Sequence, residues 1–229
     1  MLEMIDVHVN YSMRGESVKA LDGVSLTIEQ GDFLAVVGPS GSGKSTFLQS
    51  LGGMLSPTKG EVRMDDTSLY DLSADHRASL RKKDVGFVFQ TFNLLPYLTA
   101  KQNVQIPLML NGETKEKQSQ IAAELLEKVG LSDRQNHKPS ELSSGQQQRV
   151  ALARMLANNP RLIFADEPTG SLDPETGKQV IEFLKELNSE GRTIVMVTHD
   201  PGAAAEASRC IRLVDGQIEN TNHIDIKVA

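Results

Sequence analysis

Between Gly38 and Thr46 the chain reads Gly-Pro-Ser-Gly-Ser-Gly-Lys-Ser-Thr. Gly38, Gly43, Lys44 and Ser45 stand at the spacing of a phosphate-binding loop. Glycines at 38, 41 and 43 tolerate a positive φ and let the backbone curl inward. Successive N–H groups then converge on phosphate oxygens, and the helix that follows adds the positive end of its dipole. Lys44 supplies a point charge to the β- and γ-phosphates, and Ser45 a hydroxyl to Mg²⁺. The expected ligand is a nucleoside triphosphate with Mg²⁺, contacted by Gly38, Pro39, Ser40, Gly41, Ser42, Gly43, Lys44, Ser45 and Thr46. Further along, Asp166 and Glu167 directly follow an apolar stretch. Ligands gather at the carboxyl ends of strands in an open parallel sheet, which puts both carboxylates near the loop. There Asp166 can hold Mg²⁺ through water, and Glu167 can orient or deprotonate an attacking water.

The elements that must position these groups are legible as patterns. Phe33–Val37 is a five-residue apolar run, the mark of a buried parallel strand, and Ser45–Leu51 continues as a helix that Gly52-Gly53 ends. Leu2–Tyr11 and Val24–Ile28 have strand character, and Glu61–Met64 alternates after a turn at Pro57–Gly60. Ser73 is placed to cap a short helix through Arg81, and Val85–Phe89 reads as another buried strand ending at Gln90. From Thr91 to Leu142 the period changes. Ile121, Leu125, Leu126 and Val129 form a helical stripe that Gly130 stops, so this region is expected to be a helical insert in an α/β core. Val150–Leu156 continues a helix, Leu162–Ala165 is a strand, Thr176–Ser189 a helix and Thr193–Thr198 a strand. Asp215-Gly216 between Ile211–Val214 and Gln217–Glu219 signals a hairpin, and the tail after Asn220 is polar and expected to fray.

The bulk numbers are those of a soluble globular chain: 229 residues, 39% apolar and 24% charged. Apolar runs fall far short of the ~20 residues a membrane span needs. The acidic start, Met1–Asp6, lacks the basic region of a secretory signal, and the single cysteine, Cys210, excludes an internal disulfide framework. A cytosolic location is expected. The net charge of −6 is a poor match to a protein that tracks nucleic-acid backbone.

A second diagnostic stretch is Leu142-Ser143-Ser144-Gly145-Gln146-Gln147-Gln148-Arg149. It resembles the signature motif of ABC-type ATPases. The resemblance covers nearly the whole chain and takes in, in the family's order, the phosphate loop, Gln90 at a strand end, the signature, Asp166-Glu167, Ser171-Leu172-Asp173, and His199 after an apolar strand.

That resemblance implies an α/β P-loop NTPase core with a mostly parallel sheet, an N-terminal antiparallel β subdomain and a helical subdomain inserted at approximately 91–160. All of it would lie in one nucleotide-binding domain spanning 1–229. It further implies that Tyr11 stacks on adenine, that Gln90 contacts Mg²⁺ and water, that His199 contacts the γ-phosphate, and that Asp173 sits across a dimer seam. Lys44, Gln90, Glu167 and His199 would be the catalytic group, and Ser45, Gln90 and Asp166 the metal group. Ser143, Ser144, Gly145 and Gln146, at a helix N-terminus, would meet the γ-phosphate bound to a second copy. Two copies, head to tail, would sandwich two ATP molecules with two-fold symmetry. Where the family usually has glycine this chain has Ser144, which adds a Cβ close to phosphate. His8, His76, His137 and His223 match no motif and are read as surface or packing residues.

Phe92–Thr99, Asn103-Val104 and Ala165–Asp173 look most like the macrolide-exporter and lipoprotein-release branch. Members of that branch pair with a membrane permease, which would place this chain peripherally on the cytoplasmic face of the membrane. Phe92, Leu94 and Leu95 would line the groove that receives the permease's cytoplasmic helix. Two other readings stand beside this one. One is a cell-division-type regulatory ATPase that signals through a membrane partner. The other is a soluble ABC machine, although such proteins typically carry a long coiled coil or a second nucleotide domain.

Overall fold

A computed structural model describes residues 1–13 and 16–219. The polar tail after Asn220, with His223, lies outside the described residues. Among the described residues, ten strands and seven α-helices follow one another as β1 (Leu2–Met13), β2 (Glu16–Ile28), β3 (Phe33–Val37), α1 (Lys44–Leu51), β4 (Lys59–Met64), β5 (Thr67–Ser68), α2 (Ala74–Asp84), β6 (Val85–Phe89), α3 (Ala100–Leu110), α4 (Lys115–Lys128), α5 (Ser144–Leu156), β7 (Leu162–Asp166), α6 (Pro174–Ser189), β8 (Thr193–Val197), α7 (Pro201–Ala205), β9 (Arg209–Val214) and β10 (Gln217–Glu219).

Two sheets result. Strands β2-β1-β4-β5 form an antiparallel sheet, and β10-β9-β3-β8-β7-β6 a second one in which only β10 runs antiparallel to its neighbour. The central strands of the second sheet are apolar except at Asp166 and Thr193, at strand ends, because both faces are covered, and their two-residue period sorts the side chains between two cores. Phe33, Ala35, Ile163, Ala165, Ile194 and Met196 face helices α3–α6. Leu34, Val36, Leu162, Phe164, Val195 and Val197 face α1 and the antiparallel sheet. Each fully buried Leu, Val or Phe of these strands contributes about 1.5–3 kcal/mol of burial free energy.

The helical stripe of α4 is where the sequence puts it. Ala122 and Leu126 are buried, Ile121 and Leu125 pack beside them, and Gly130 ends the segment at φ 72. Two sequence readings are revised. Strand β6 is not wholly buried: only Gly86 and Val88 are, because β6 is the edge of its sheet. Helix α3 was not specified by any single stripe, since Pro107 interrupts it and a polar residue, Asn103, occupies its core face. Asn103 is fully buried and fully used. It donates to the carbonyls of Leu95, Leu98 and Thr99 and accepts from the N–H of Leu95, closing the loop before the helix.

Remote segments are also tied electrostatically. Asp65, in a turn at φ 53, binds Arg161 at 2.7 Å and the N-terminal ammonium at 2.9 Å. These partners hold its carboxyl below the ordinary range, the Arg161 hydrogen bond being the largest cause. A depressed folded value stabilises the fold at pH above the ordinary carboxylate range and loses that contribution as pH falls through the depressed value. Asp65→Asn keeps the side-chain shape and the tolerance for positive φ. It should therefore lower Tm modestly at neutral pH, with the difference shrinking towards zero in acid. Thermal melts across pH test this, and a difference that persists unchanged in acid would contradict it.

Candidate nucleotide site

A cleft of about 570 Å³ opens at the carboxyl ends of β3, β6, β7 and β8. It is lined by Ser40, Gly41, Gly43, Lys44, Ser45 and Thr46 of the glycine loop, and by Gln90, Asp166, Glu167 and His199. Four segments widely separated in sequence thus meet where the sheet order predicts.

The glycine loop is built to leave N–H groups free. The other six helices begin at a side-chain cap: Ser73, Thr99, Thr114, Ser143, Asp173 and Asp200 each accept a backbone N–H of the first turn. Helix α1 begins at Gly43, which has φ 100 and no side chain to offer. The first N–H groups of a helix have no intrahelical acceptor, so this N-terminus presents unsatisfied donors and a positive dipole end to the cleft. Backbone packing excludes anything larger than glycine. A Cβ on Gly43 would lie 2.2 Å from the carbonyl oxygen of Ala20, and one on Gly38 would lie 2.1 Å from that of Leu213. The hairpin of β9 and β10 braces the loop from below, where the N–H of Gly216 donates to the Ser42 carbonyl at 3.0 Å. Lys44 Nζ donates to the carbonyls of Gly38 and Pro39, both at 2.9 Å, which keeps its charge over the loop. Ser42 is buried and its hydroxyl has no partner.

The carboxylates are set by β7. Ser45 Oγ donates to Asp166 Oδ1 at 3.2 Å. Burial pushes the Asp166 carboxyl above its ordinary value and the neighbouring Glu167 adds to this, while Ser45 and Lys44 pull the other way. Glu167 occupies the left-handed region at φ 48 and donates its N–H to the Val197 carbonyl. Such a conformation in a non-glycine residue is costly and concentrates at functional sites. Glu167 Oε2 lies 2.8 Å from His199 Nδ1 and accepts the His199 N–H at 3.3 Å. Gln90, at the end of β6, packs over Gly170, where a Cβ would meet Gln90 Nε2 at 2.9 Å.

The remaining expected contacts fall outside this lining. The hydroxyl of Tyr11 is 3.5 Å from Thr46 Oγ1, beside the cleft, with the ring partly exposed. Ser143, Ser144, Gly145 and Gln146 lie at the start of α5 and line none of the cleft. Ser143 and Gln146 form a reciprocal capping box, Ser144 is exposed, and Gly145 is buried against Thr176. Asp173 caps α6 at a second cavity of about 430 Å³ between α6 and α7. Its carboxyl is held below the ordinary range by the hydrogen bonds of Thr176. Of the other histidines, His8 bridges Asp6 and Asp22, and His76 contacts Ser73.

An apolar groove of about 390 Å³ runs between α2, β6, α3 and α5, lined by Met54, Phe87, Phe89, Pro107, Leu110 and Met155 among others. Phe92, Leu94 and Leu95, expected to line a groove for a partner's helix, are not among the residues lining this one. Leu94 instead packs on the core around α3–α5, and Leu95 is half exposed. Sequence reasoning also missed Ala20, Leu213 and Gly216. They act through backbone atoms, which leave no side-chain pattern to find.

A glycine loop feeding an uncapped helix, under the carboxylates of the next-but-one strand, defines a nucleotide-binding α/β protein. The ABC transporter family profile matches residues 21–170, and the chain belongs to that family of ATP-binding ATPases. It is 45% identical to YvrO, an ABC transporter ATP-binding protein of Bacillus subtilis, over the full length of both chains. It is 46% identical to the macrolide export ATP-binding/permease protein MacB of Bdellovibrio bacteriovorus across 98% of this chain, which spans only 34% of MacB. The fold is that of the MJ0796 cassette of Methanocaldococcus jannaschii, solved as a dimer in a post-hydrolysis state with ADP and Pi. The TM-score is 0.90 at 45% identity, covering 96% of this chain and 97% of the other.

The Gly43 geometry yields a direct test. A left-handed backbone costs a non-glycine residue about 1–2 kcal/mol before any clash with Ala20. Gly43→Ala should therefore weaken ATP binding about tenfold or more in a fluorescent-nucleotide titration. Wild-type affinity would contradict the assignment of this loop.

Proposed function

We propose that this chain is the ATP-hydrolysing subunit of a membrane transporter of the macrolide-exporter and lipoprotein-release type. On this reading it works as a two-fold dimer of itself, bound to a permease at the cytoplasmic face of the membrane. The observation that carries the proposal is the separation of two helix N-termini. One, at α1, opens into the cleft, while the other, at α5, carries Ser143–Gln146 and lines none of it. Each copy then supplies the phosphate loop of one site and the signature of the other. The MJ0796 dimers and the fused permease of MacB support this arrangement. Among the described residues no helix is long and apolar enough to cross a membrane.

The roles follow from chemistry. Lys44 and the α1 N-terminus hold the phosphates. Glu167 orients or deprotonates water for in-line attack on the γ-phosphate, and His199, held against Glu167, contacts that phosphate. Ser45, Gln90 and Asp166 are hard oxygen donors on one wall of the cleft. They fit Mg²⁺, which typically takes one or two carboxylates plus substrate phosphates, and it would neutralise charge on the phosphates. Tyr11 stacks on adenine and Asp173 lies at the dimer seam. The whole chain acts as one nucleotide-binding domain, with a helical subdomain at approximately 91–160 whose helices α3–α5 share one core. The groove beside Phe87 and Leu110 seats the permease's cytoplasmic helix. A cell-division-type regulatory role uses the same dimer and differs only in whether turnover drives the output.

Glu167→Gln removes the base and leaves the phosphate contacts. It should lower kcat by about 10²–10⁴, and with ATP it should run as a dimer on size exclusion where the nucleotide-free protein is a monomer. A monomeric, fully active variant would refute the proposal.

A further inference from the structure

One half-buried cation has no part in the nucleotide chemistry. Arg154, on the last turn of α5, is half-buried, and burial pulls its guanidinium below its ordinary value with no carboxylate contributing. Its Nη2 donates to the Phe92 carbonyl at 2.7 Å, and its Nη1 donates to the carbonyl of Asn93. Phe92 and Asn93 are consecutive non-glycine residues in the left-handed region, at φ 55 and φ 50. Such a pair persists only where its surroundings over-determine it. Here the surroundings are explicit: Arg154 holds the start of the segment, and buried Asn103 holds its end at Leu95, Leu98 and Thr99. The segment begins directly after Gln90, which lines the cleft. The same helix grips the opposite wall, where Gln148 Nε2 donates to the Pro168 carbonyl at 2.6 Å, one residue past Glu167.

We infer that Arg154 is a positioning residue for Gln90. Its fork fixes the strained turn that aims Gln90 into the cleft, and so ties Gln90 to the helix that presents Ser143–Gln146. This rests on the proposed role of Gln90. Two successive carbonyls need two donors in fixed geometry, which guanidinium supplies and a lysine ammonium does not.

A double-mutant cycle in steady-state ATPase assays tests the link, using Gln90→Ala, Arg154→Met and the combined variant. Arg154→Met should lower kcat about tenfold or more while KM for ATP stays within about twofold, and the combined variant should be no slower than Gln90→Ala alone. Losses that multiply, or a KM that worsens in step with kcat, would overturn the inference. If Arg154→Met lacks a native circular-dichroism spectrum, the cycle is run with Arg154→Lys, which should show a smaller loss that likewise does not multiply. Gln90→Ala at the wild-type rate would refute the role of Gln90 and this inference with it. A slow Gln90→Ala beside a wild-type Arg154→Met would refute the link alone.

Discussion

Helix α1 starts without a side chain to satisfy it, and much of the fold is arranged around that deficit. A helix N-terminus left with free N–H groups is unfavourable unless water or an anion meets it. Here it is held open by backbone: the carbonyls of Ala20 and Leu213 press where any Cβ at Gly43 or Gly38 would stand. Ala20 belongs to the antiparallel sheet, while Leu213 and Gly216 belong to the edge hairpin of the other sheet. Both sheets therefore converge on one loop, and the apolar cores on either face of β3 fix the strand that delivers it.

The second N-terminus, at α5, is treated differently. Its capping box closes part of its first turn, and Gly145 lets the helix pack against Thr176 at the base of α6. It points no donor into the cleft of its own chain. Gln148 and Arg154, further along α5, reach the segments next to Glu167 and Gln90. One helix thus links the segment Ser143–Gln146 to both walls of the cleft.

Much of this was legible in the sequence because the chemistry demands particular side chains. Glycines at 41 and 43, the strand-end carboxylates, Gln90 and His199 are local signals, and the structure brings them to one cleft. Contacts made through the backbone were not legible: nothing about Ala20 or Leu213 as residue types marks them as supports for the loop. Helix α3 was obscured for a related reason. Its core face includes Asn103, whose side chain serves loop carbonyls rather than the apolar core. The turn at Phe92 and Asn93 was not legible either, because apolar patterning does not encode two successive non-glycine residues in the left-handed region.

The central claim is that each half-site is inert alone and complete only when two chains share a triphosphate. Mixing two dead proteins measures this directly: Lys44→Ala, which lacks a working phosphate loop, and Ser143→Arg, which lacks a working signature. Each homodimer has two broken sites, whereas the mixed dimer has one site with both parts intact. The account predicts negligible ATPase activity for either protein alone and clear recovery on mixing. Mixing that restores nothing, or full activity of Ser143→Arg by itself, would contradict it.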